Sequence, residues 1–314
     1  MTDILKTKIA ILGTTGYIGR ALFYELQKDS DVEVVGYSRD VEAARRTLNT
    51  YKVAFGDIKN YDELVDHKYD VVINATGIGS PRKLNEDPTA VFKVTEAMDH
   101  MVFQYLDKYP QTRVFSLSSG AVYGQSAGDY VNPDTEASFR VNALSVKDGY
   151  ALAKLHSEAR HRSLKDAAII DLRVFAFISC FLDPEDSFLV SEIAKCLKTK
   201  AVFKTKPDDL VRDFTTAADI VDIIKFLMAR PPTNDVFDLK SQAATGKFEL
   251  LNKLKEEYGL LFEVGEILEN SPTGSKNIYA PSLSRLETLG YSPQKTSLEN
   301  VVSELKAFLV LNEL

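Results

Sequence analysis

The chain has 314 residues, of which 45% are hydrophobic, and it carries a formal net charge of −7. This length supports one large core, or one core with a smaller lobe. Acidic and basic residues are interspersed, which argues against nucleic acid as the main partner. The two cysteines, Cys180 and Cys196, and the four scattered histidines match neither a disulfide framework nor a zinc motif, so no metal site is predicted.

No apolar run approaches the ~18–20 residues that a membrane span needs, so no membrane partner is predicted. The segment Met1-Thr2-Asp3-Ile4-Leu5 has no basic stretch followed by an apolar one, as a secretion signal would have. We therefore expect a cytoplasmic protein.

The first predicted element is an apolar strand at residues 9–12, which suits a strand buried on both faces of a parallel sheet. Three glycines follow at intervals of three, and an amphipathic helix begins near Arg20. Strand, glycine turn and helix in this order predict a cradle for the pyrophosphate of a dinucleotide. The alternative is a tight turn without a ligand. The predicted cofactor contacts of this turn are Gly13, Thr15, Gly16, Tyr17, Ile18 and Gly19.

A second strand is predicted at residues 32–37, closing in Ser38-Arg39-Asp40. In a dinucleotide fold the residue that closes this strand meets the adenosine ribose, where an acidic residue binds the 2′-hydroxyl of NAD. Counting from Gly13 places Ser38 there, and the planar fork of Arg39 matches a 2′-phosphate. NADP is therefore the predicted cofactor. The alternative is NAD, with Arg39 solvated and Asp40 at the ribose.

A third strand with a turn is predicted at residues 53–58, and Asp57 and Ile58 at its end are predicted cofactor contacts. Asp57 lies where a carboxylate could hydrogen-bond the adenine amino group. The alternative is that Asp57 caps a helix at residues 61–65.

A buried strand at residues 70–77 runs into a loop of small residues, which lets a ligand pass close to the backbone. Its predicted cofactor contacts are Ala75, Thr76 and Gly77. A helix at residues 90–106 and a strand at residues 113–117 follow. The second of these ends in a serine- and glycine-rich loop that holds Ser119 and Tyr123, at the edge of the sheet where α/β enzymes carry their chemistry.

Tyr150 and Lys154 are four residues apart and share one face of a predicted helix. A phenol has a reference pKa of ~10, and a nearby ammonium group lowers it. We predict that Tyr150 exchanges a proton with a substrate hydroxyl or ketone while hydride moves to or from nicotinamide. Lys154 would also hydrogen-bond the nicotinamide ribose, and Ser119 would hydrogen-bond the same substrate oxygen. The alternative is a surface Tyr/Lys pair without a catalytic role.

Strands alternate with helices up to a strand at residues 168–175, which predicts an α/β fold: a Rossmann-like, doubly wound parallel sheet with a small C-terminal substrate lobe. We assign residues 1–176 to the NAD(P)-binding domain, with a later strand and helix near residues 210–240 returning to it. Residues 177–314 form mainly the substrate-binding lobe, interleaved with that domain.

Three segments together resemble the extended short-chain dehydrogenases/reductases, also called the NAD-dependent epimerase/dehydratase family. They are Gly13-Thr14-Thr15-Gly16-Tyr17-Ile18-Gly19, Ser118-Ser119-Gly120-Ala121-Val122-Tyr123-Gly124 and Tyr150-x-x-x-Lys154. The resemblance implies a cytosolic Rossmann-fold enzyme, usually a homodimer, that acts on a nucleoside-diphosphate sugar. It also implies that Arg212, in Arg212-Asp213-Phe214, binds the substrate diphosphate. The alternative for Arg212 is a structural ion pair with Asp213 or Asp219.

Departures from the family pattern narrow the predicted reaction. Gly120-Ala121 stands where dehydratases carry an Asp-Glu pair, and Ala176 stands where many epimerases carry an asparagine. With Arg39 favouring NADPH, we predict a reductase of a nucleotide-linked 4-keto-6-deoxysugar, with Ser119, Tyr123 and Arg212 contacting the substrate. Loops near residues 81–85, 125–142 and 175–189 would shape the sugar pocket. The alternatives are an NAD-dependent epimerase, a reductase of a carbonyl compound without a nucleotide, and a non-catalytic NAD(P)-sensing protein.

Overall fold

The computed structural model describes residues 6–79, 84, 86–124, 128–265 and 277–312. Its strands in chain order are β1 (Thr7–Leu12), β2 (Val32–Ser38), β3 (Ile58–Asn60), β4 (Val71–Asn74), β5 (Arg113–Ser119), β6 (Ile169–Val174), β7 (Ala176–Phe177), β8 (Phe203–Thr205), β9 (Val211–Arg212), β10 (Phe214–Thr215), β11 (Asp235–Asp238), β12 (Thr245–Gly246), β13 (Phe262–Val264) and β14 (Ile278–Tyr279). Its helices are α1 (Tyr17–Leu26), α2 (Val41–Asn49), α3 (Ala90–Lys108), α4 (Val146–Ser163), α5 (Leu189–Thr199), α6 (Ala217–Met228), α7 (Lys247–Tyr258), α8 (Arg285–Thr288) and α9 (Ser297–Leu311).

Seven parallel strands form the central sheet, in the order β3-β2-β1-β4-β5-β6-β11. The strand order reverses between β1 and β4, where Ile9 lies opposite Val71. In open α/β sheets, ligands bind outside the carboxyl ends of the strands at such a switch point. The predicted doubly wound Rossmann-like fold is therefore confirmed, and the glycine turn after β1 lies at that crevice.

Strand β1 is buried on both faces because helices cover both sides of the sheet. Ile9 and Ile11 pack into a core layer that also holds apolar residues of α1 and α6. Ala10 and Leu12 point into the opposite layer, with apolar residues of α3. Full burial of an isoleucine or leucine side chain contributes about 1.5–3 kcal/mol, so this strand anchors both layers.

The third strand is shorter than predicted. Residues 53–57 form no regular strand, and β3 begins at Ile58, opposite Gly36 of β2. The sequence interpretation was wrong here because the aromatic ring of Phe55 packs against Phe23 and Phe181, at centroid distances of 5.8 Å in both cases. Its apolar side chain covers a helix and a loop rather than marking a strand.

Within the described residues, one strand from the second half of the chain joins the central sheet. Strand β11 pairs in parallel with β6, with Asp235 opposite Ile170, and α6 packs near α1. Other segments form small separate sheets: β9 with β12 and β14, β7 with β10, and β8 with β13. The predicted boundary between residues 1–176 and 177–314 stays a prediction.

Parts of the predicted pocket loops lie outside the described residues, namely residues 81–83, 85 and 125–127. The first five residues, whose composition predicts that there is no secretion signal, also lie outside the described residues. Within the part of the chain that is described, no helix is long and apolar enough to cross a membrane.

Candidate functional site

The turn between β1 and α1 has the form that a phosphate cradle needs. Gly13 has a φ of +86°, a conformation that favours glycine, and its carbonyl accepts a hydrogen bond from the Gly16 amide at 2.9 Å. A Cβ on Gly19 would overlap that same Gly13 carbonyl, so the glycine lets α1 start against the turn. Gly16 precedes the helix without a side-chain cap. The first amides of α1 therefore face the crevice with the positive end of the helix dipole, as a pyrophosphate requires.

The other residues predicted at this turn offer their backbone more than their side chains. The Tyr17 hydroxyl accepts a hydrogen bond from the Ser179 amide at 2.9 Å, and its ring packs edge-on against Phe177. Ile18 packs against the core, and the Thr15 carbonyl accepts a hydrogen bond from Arg20. The structure places these residues next to the cradle, so Tyr17 and Ile18 would contact a cofactor through their amides.

At the end of β2, the position predicted to meet the ribose carries Ser38 rather than an acidic residue. Ser38 is buried and donates its hydroxyl to the Asp40 carbonyl at 3.3 Å. Asp40 is the N-cap of α2, and its carboxylate accepts a hydrogen bond from the Ala43 amide at 2.8 Å. Arg39 is exposed, and its backbone carbonyl accepts a hydrogen bond from Asn60. The carboxylate of Asp40, the alternative ribose ligand, is therefore occupied as a helix cap. The Arg39 side chain is exposed to solvent.

Asp57 and Ile58 occupy different environments. Asp57 is exposed, and its carboxylate lies 3.5 Å from the Arg45 guanidinium. It is not a helix cap, because Asn60 caps the short helical turn that follows, with its side chain accepting from the Asp62 amide at 3.1 Å. Ile58 is buried in the core. Of the two predicted contacts, only Asp57 presents a polar side chain to solvent.

The loop after β4 brings two glycines against the predicted catalytic pair. A Cβ on Gly77 would lie 3.3 Å from the Lys154 ammonium nitrogen, and one on Gly79 would lie 3.7 Å from the Tyr150 hydroxyl. Ala75 and Thr76 lead into this loop, where the Thr76 hydroxyl donates to Asn74. Small residues leave room here between the backbone and the pair, which agrees with the predicted passage of a ligand.

Ser119, at the end of β5, meets Tyr150 of α4. The Ser119 hydroxyl lies beside the Tyr150 phenol. Burial raises the pKa of Tyr150, and the hydrogen bond from Ser119 lowers it in part. Tyr150 therefore keeps its proton at neutral pH in this state. Ser119 is the group that lowers the Tyr150 pKa against the effect of burial, whereas the sequence pattern predicted Lys154 in that role.

The Lys154 ammonium group contacts the backbone near Ser119 and Tyr150 rather than the Tyr150 phenol itself. Its ammonium group is buried and donates a hydrogen bond to the Leu117 carbonyl at 2.8 Å. Burial lowers the pKa of Lys154, while the carboxylates of Asp99, Asp171 and Glu158 raise it. The ammonium group is thus held at the carboxyl end of β5, beside the Gly77 backbone.

Tyr123 takes a position that argues against its predicted contact with substrate. Its side chain is buried, and its hydroxyl donates to the Asp238 carboxylate at 2.7 Å while accepting from Arg173 at 2.9 Å. Arg173 in turn forms an ion pair with Glu158 at 2.7 Å. Tyr123 therefore ties β11 to the loop after β5, and its polar atom already has two partners inside the protein.

Arg212 lies beside this region on β9 and is buried. Its guanidinium donates to the carbonyls of Val211 at 2.8 Å and Asn277 at 3.4 Å. The proposed ion-pair partner Asp213 accepts instead from the Ser241 amide, at 2.9 Å. Asp219, the other proposed partner, is engaged in the capping box of α6.

Comparison with known proteins identifies the family. The family model described as "NAD dependent epimerase/dehydratase family" matches residues 9–239. The chain belongs to this family. Its members are enzymes of the extended short-chain dehydrogenase/reductase type, so the predicted family and enzyme class are confirmed.

Solved structures with the same fold cover nearly the whole chain. A UDP-glucose-4-epimerase from Stenotrophomonas maltophila, with bound NAD and formylated UDP-arabinopyranose, has 17% identity and a TM-score of 0.77, covering 98% of this chain and 99% of its own. A UDP-glucuronic acid 4-epimerase from Bacillus cereus has 17% identity and a TM-score of 0.76, covering 97% and 100%. A dTDP-glucose 4,6-dehydratase from Bacillus anthracis str. Ames has 12% identity and a TM-score of 0.75, covering 98% of each chain.

One residue of the site was not among the site residues predicted from the sequence. Tyr279, on β14, places its hydroxyl 3.2 Å from the Ser119 hydroxyl, although 160 residues separate the two in the chain. In the sequence, Tyr279 is an aromatic residue in the segment Asn277-Ile278-Tyr279, to which no structure or role was assigned. Neither the motifs of this epimerase/dehydratase family nor the residue spacing linked that segment to Ser119.

A buried charged cluster on α4 gives this family member a testable pH dependence. His161 lies between Asp171, at 2.8 Å, and Asp99, at 3.3 Å, and is 1% exposed. Burial alone would lower the pKa of His161, but the two carboxylates outweigh it and raise the pKa to about 9. The charged imidazole is therefore part of the folded structure at neutral pH.

We expect the free energy of unfolding to decrease as pH rises from ~6.5, the unfolded pKa of histidine, through about 9. Below that window the contribution is fully present, and it amounts to ~3 kcal/mol from the pKa difference. Replacing His161 with glutamine should flatten this decrease in chemical denaturation curves measured across the window. His156→Gln, at an exposed position of the same helix, is the control and should keep the wild-type slope. An unchanged slope in the His161 variant would contradict the assignment.

Proposed function

We propose that this protein is an NADPH-dependent reductase of a nucleoside-diphosphate-linked 4-keto-6-deoxysugar. The observation that carries the proposal is the placement of the Tyr150 phenol beside Ser119 and Gly79, with Lys154 against Gly77 of the same loop. Burial raises the pKa of this phenol, which suits it to the role of a proton donor. A reductase needs a proton donor at the carbonyl oxygen, whereas an oxidation that opens an epimerisation needs a base there.

When bound, NADPH supplies the hydride. Ser119 donates a hydrogen bond to the ketone oxygen and fixes its direction, and Tyr150 gives its proton to the same oxygen as the new hydroxyl forms. Lys154, held by the Leu117 carbonyl next to Gly77, would hydrogen-bond the nicotinamide ribose, which is the second role predicted for it. The amides at the start of α1 are the groups that suit the cofactor pyrophosphate.

Two further observations support reduction over the other activities of the family. A Cβ on Gly120 would overlap the Phe175 ring, so an acidic side chain, such as dehydratases carry after the serine, has no room there. At the ribose position, Ser38 replaces an acidic residue and Arg39 extends from an exposed turn. Both features fit NADPH as the reductant.

The nucleotide-sugar substrate is proposed from the family and from Arg212. Solved structures of similar fold include a UDP-glucuronic acid 4-epimerase in complex with UDP-glucuronic acid and a UDP-glucose 4-epimerase with UDP-glucose. Arg212 brings a buried guanidinium to β9, whose neighbour β14 carries Tyr279 at the Ser119 hydroxyl. The predicted homodimer and the cytoplasmic location stay predictions.

The direct test is NADPH oxidation by the purified protein with a panel of nucleotide-linked 4-ketosugars. We expect turnover with at least one of them and none with the free ketosugar. Interconversion of sugar stereoisomers with retained NAD and no NADPH oxidation would instead identify an epimerase. Cofactor binding without any turnover across the panel would identify a non-catalytic NAD(P)-sensing protein.

Replacing Arg39 with alanine should raise the KM for NADPH by ~10–100-fold, because a charge-assisted hydrogen bond contributes about 1.5–3 kcal/mol. The KM for NADH should change by no more than about twofold, because NADH lacks the 2′-phosphate that this guanidinium would bind. Steady-state kinetics with both cofactors measure the difference. Arg46→Ala, which removes the same charge from an exposed position of α2, is the matched control. Equal losses with NADH and NADPH would mean that Arg39 does not face the 2′-phosphate.

A further inference from the structure

A second phenol reaches the Ser119 hydroxyl from the C-terminal part of the chain. The Tyr279 hydroxyl lies 3.2 Å from the Ser119 oxygen, and the Ala121 amide donates to that oxygen, also at 3.2 Å. The Tyr279 ring packs against Phe175 at a centroid distance of 5.1 Å. Ser119 thus has hydrogen-bond partners on two sides before any substrate arrives.

The hydrogen-bonding capacity of a serine hydroxyl limits what these partners do. The group has one proton to donate and two lone pairs to accept with. The Ala121 amide fills one lone pair, because an amide N–H only donates. Burial raises the pKa of Tyr279, so its hydroxyl keeps its proton and is able to fill the second lone pair. The single Ser119 proton then remains for the side on which Tyr150 lies.

We propose that Tyr279 is a positioning residue of the reaction, which donates to Ser119 and thereby fixes the Ser119 hydroxyl as a donor toward the substrate oxygen. The inference rests on the proposed function and deepens it. In a chain Tyr279→Ser119→oxygen, each hydroxyl has one direction in which to donate. Without Tyr279, the Ser119 hydroxyl gains a free lone pair and more than one direction for its proton.

Backbone contacts hold Tyr279 in place from both sides. In the pairing of β14 with β9, Tyr279 lies opposite Arg212. On the other side, the Val131 amide donates to the Ala280 carbonyl at 3.2 Å, and the Ser282 amide donates to the Val131 carbonyl at 2.7 Å. The orientation of Ser119 therefore depends on the small sheet that also carries Arg212, the residue proposed to bind the diphosphate.

The test is Tyr279→Phe, which retains the ring packing on Phe175 and removes only the hydroxyl. We expect kcat on the nucleotide-linked ketosugar to fall by ~10-fold, the usual loss for one hydrogen bond. The KM for the sugar and for NADPH should stay within about twofold, because Tyr279 acts through Ser119 rather than on the ligands. Tyr258→Phe, at the end of α7, is the matched control and should retain the wild-type kcat. A raised KM with unchanged kcat would overturn the proposal.

A double-mutant cycle with Ser119→Ala separates this role from an independent one. Once Ser119 has lost its hydroxyl, Tyr279→Phe should cause no further loss of kcat. Losses that multiply in the double variant would contradict an action through Ser119.

A crystal structure of the Tyr279→Phe variant needs no turnover, so it distinguishes failure of this inference from failure of the proposed function. We expect the Ser119 side chain to adopt more than one rotamer in the variant and a single one in the wild type. An unchanged single rotamer would overturn the inference, whatever the activity of the wild type. The wild-type rate alone decides the proposed function.

Discussion

Replacing Tyr150 with phenylalanine should lower kcat for ketone reduction by ~10³-fold, because a positioned proton donor contributes ~10²–10⁴-fold to such reactions. The phenol lies beside Ser119 and Gly79, so its removal leaves the oxygen of the substrate without a proton source. Affinity for NADPH should change by no more than about twofold, since the amides of the glycine turn are retained. Steady-state kinetics and equilibrium titration of NADPH measure the two effects separately.

The matched control is again Tyr258→Phe, which removes a phenol oxygen from the end of α7 and should leave kcat unchanged. A thermal melt of both variants establishes that they fold. Turnover of the Tyr150 variant within tenfold of the wild type would exclude Tyr150 as the proton donor. A parallel loss of NADPH affinity would place its main contribution in cofactor binding instead.

Substituting Gly19 with alanine should reduce NADPH affinity by ~100-fold or more, because the start of α1 must move to admit the new methyl group. The added Cβ would overlap the Gly13 carbonyl and approach the Thr14 Cα to 3.3 Å, and both are backbone atoms that a rotamer change does not relieve. Overpacking of this kind costs about 1–3 kcal/mol of stability, and it displaces the amides that face the pyrophosphate. Fluorescence titration with NADPH and chemical denaturation measure both losses.

Gly265→Ala is the control for this substitution, since an added Cβ there meets nothing within 4 Å. That variant should bind NADPH like the wild type. Wild-type affinity in the Gly19 variant would mean that the glycine turn is a tight turn without a ligand, which is the alternative that the sequence left open.

The site depends on both parts of the chain. The first half of the chain supplies the glycine turn, Ser119, Tyr150 and Lys154. The second half supplies Arg212 from β9 and Tyr279 from β14. The Tyr123 hydroxyl joins Asp238 of β11 to Arg173 of β6. A mutation in the second half that loosens β14 should therefore affect catalysis through Ser119, even where it touches neither cofactor nor substrate.

Local sequence patterns predicted the fold correctly where the whole pattern lies within one strand, turn or helix. The apolar run of β1, the three glycines and the Tyr150/Lys154 spacing each concern residues close together in the chain, and the family match at residues 9–239 agrees with them. The prediction of β3 was wrong, because the apolar side chain of Phe55 serves a contact with Phe181, which is distant in the chain. An apolar residue in the sequence does not show which other residues its side chain packs against.

The sequence by itself determined the Rossmann-like fold, the family and the order of the glycine turn, Ser119, Tyr150 and Lys154, because short-range spacing and backbone constraints encode them. Only the tertiary structure decided the environment of each polar group. It turned Tyr123 into the buried partner of Asp238 and Arg173, made Ser119 rather than Lys154 the group that lowers the pKa of Tyr150, and brought Tyr279 to Ser119. Hydrogen bonds and desolvation depend on distances in space. The local sequence around Ser119 therefore does not show its contact with Tyr279, which lies 160 positions away.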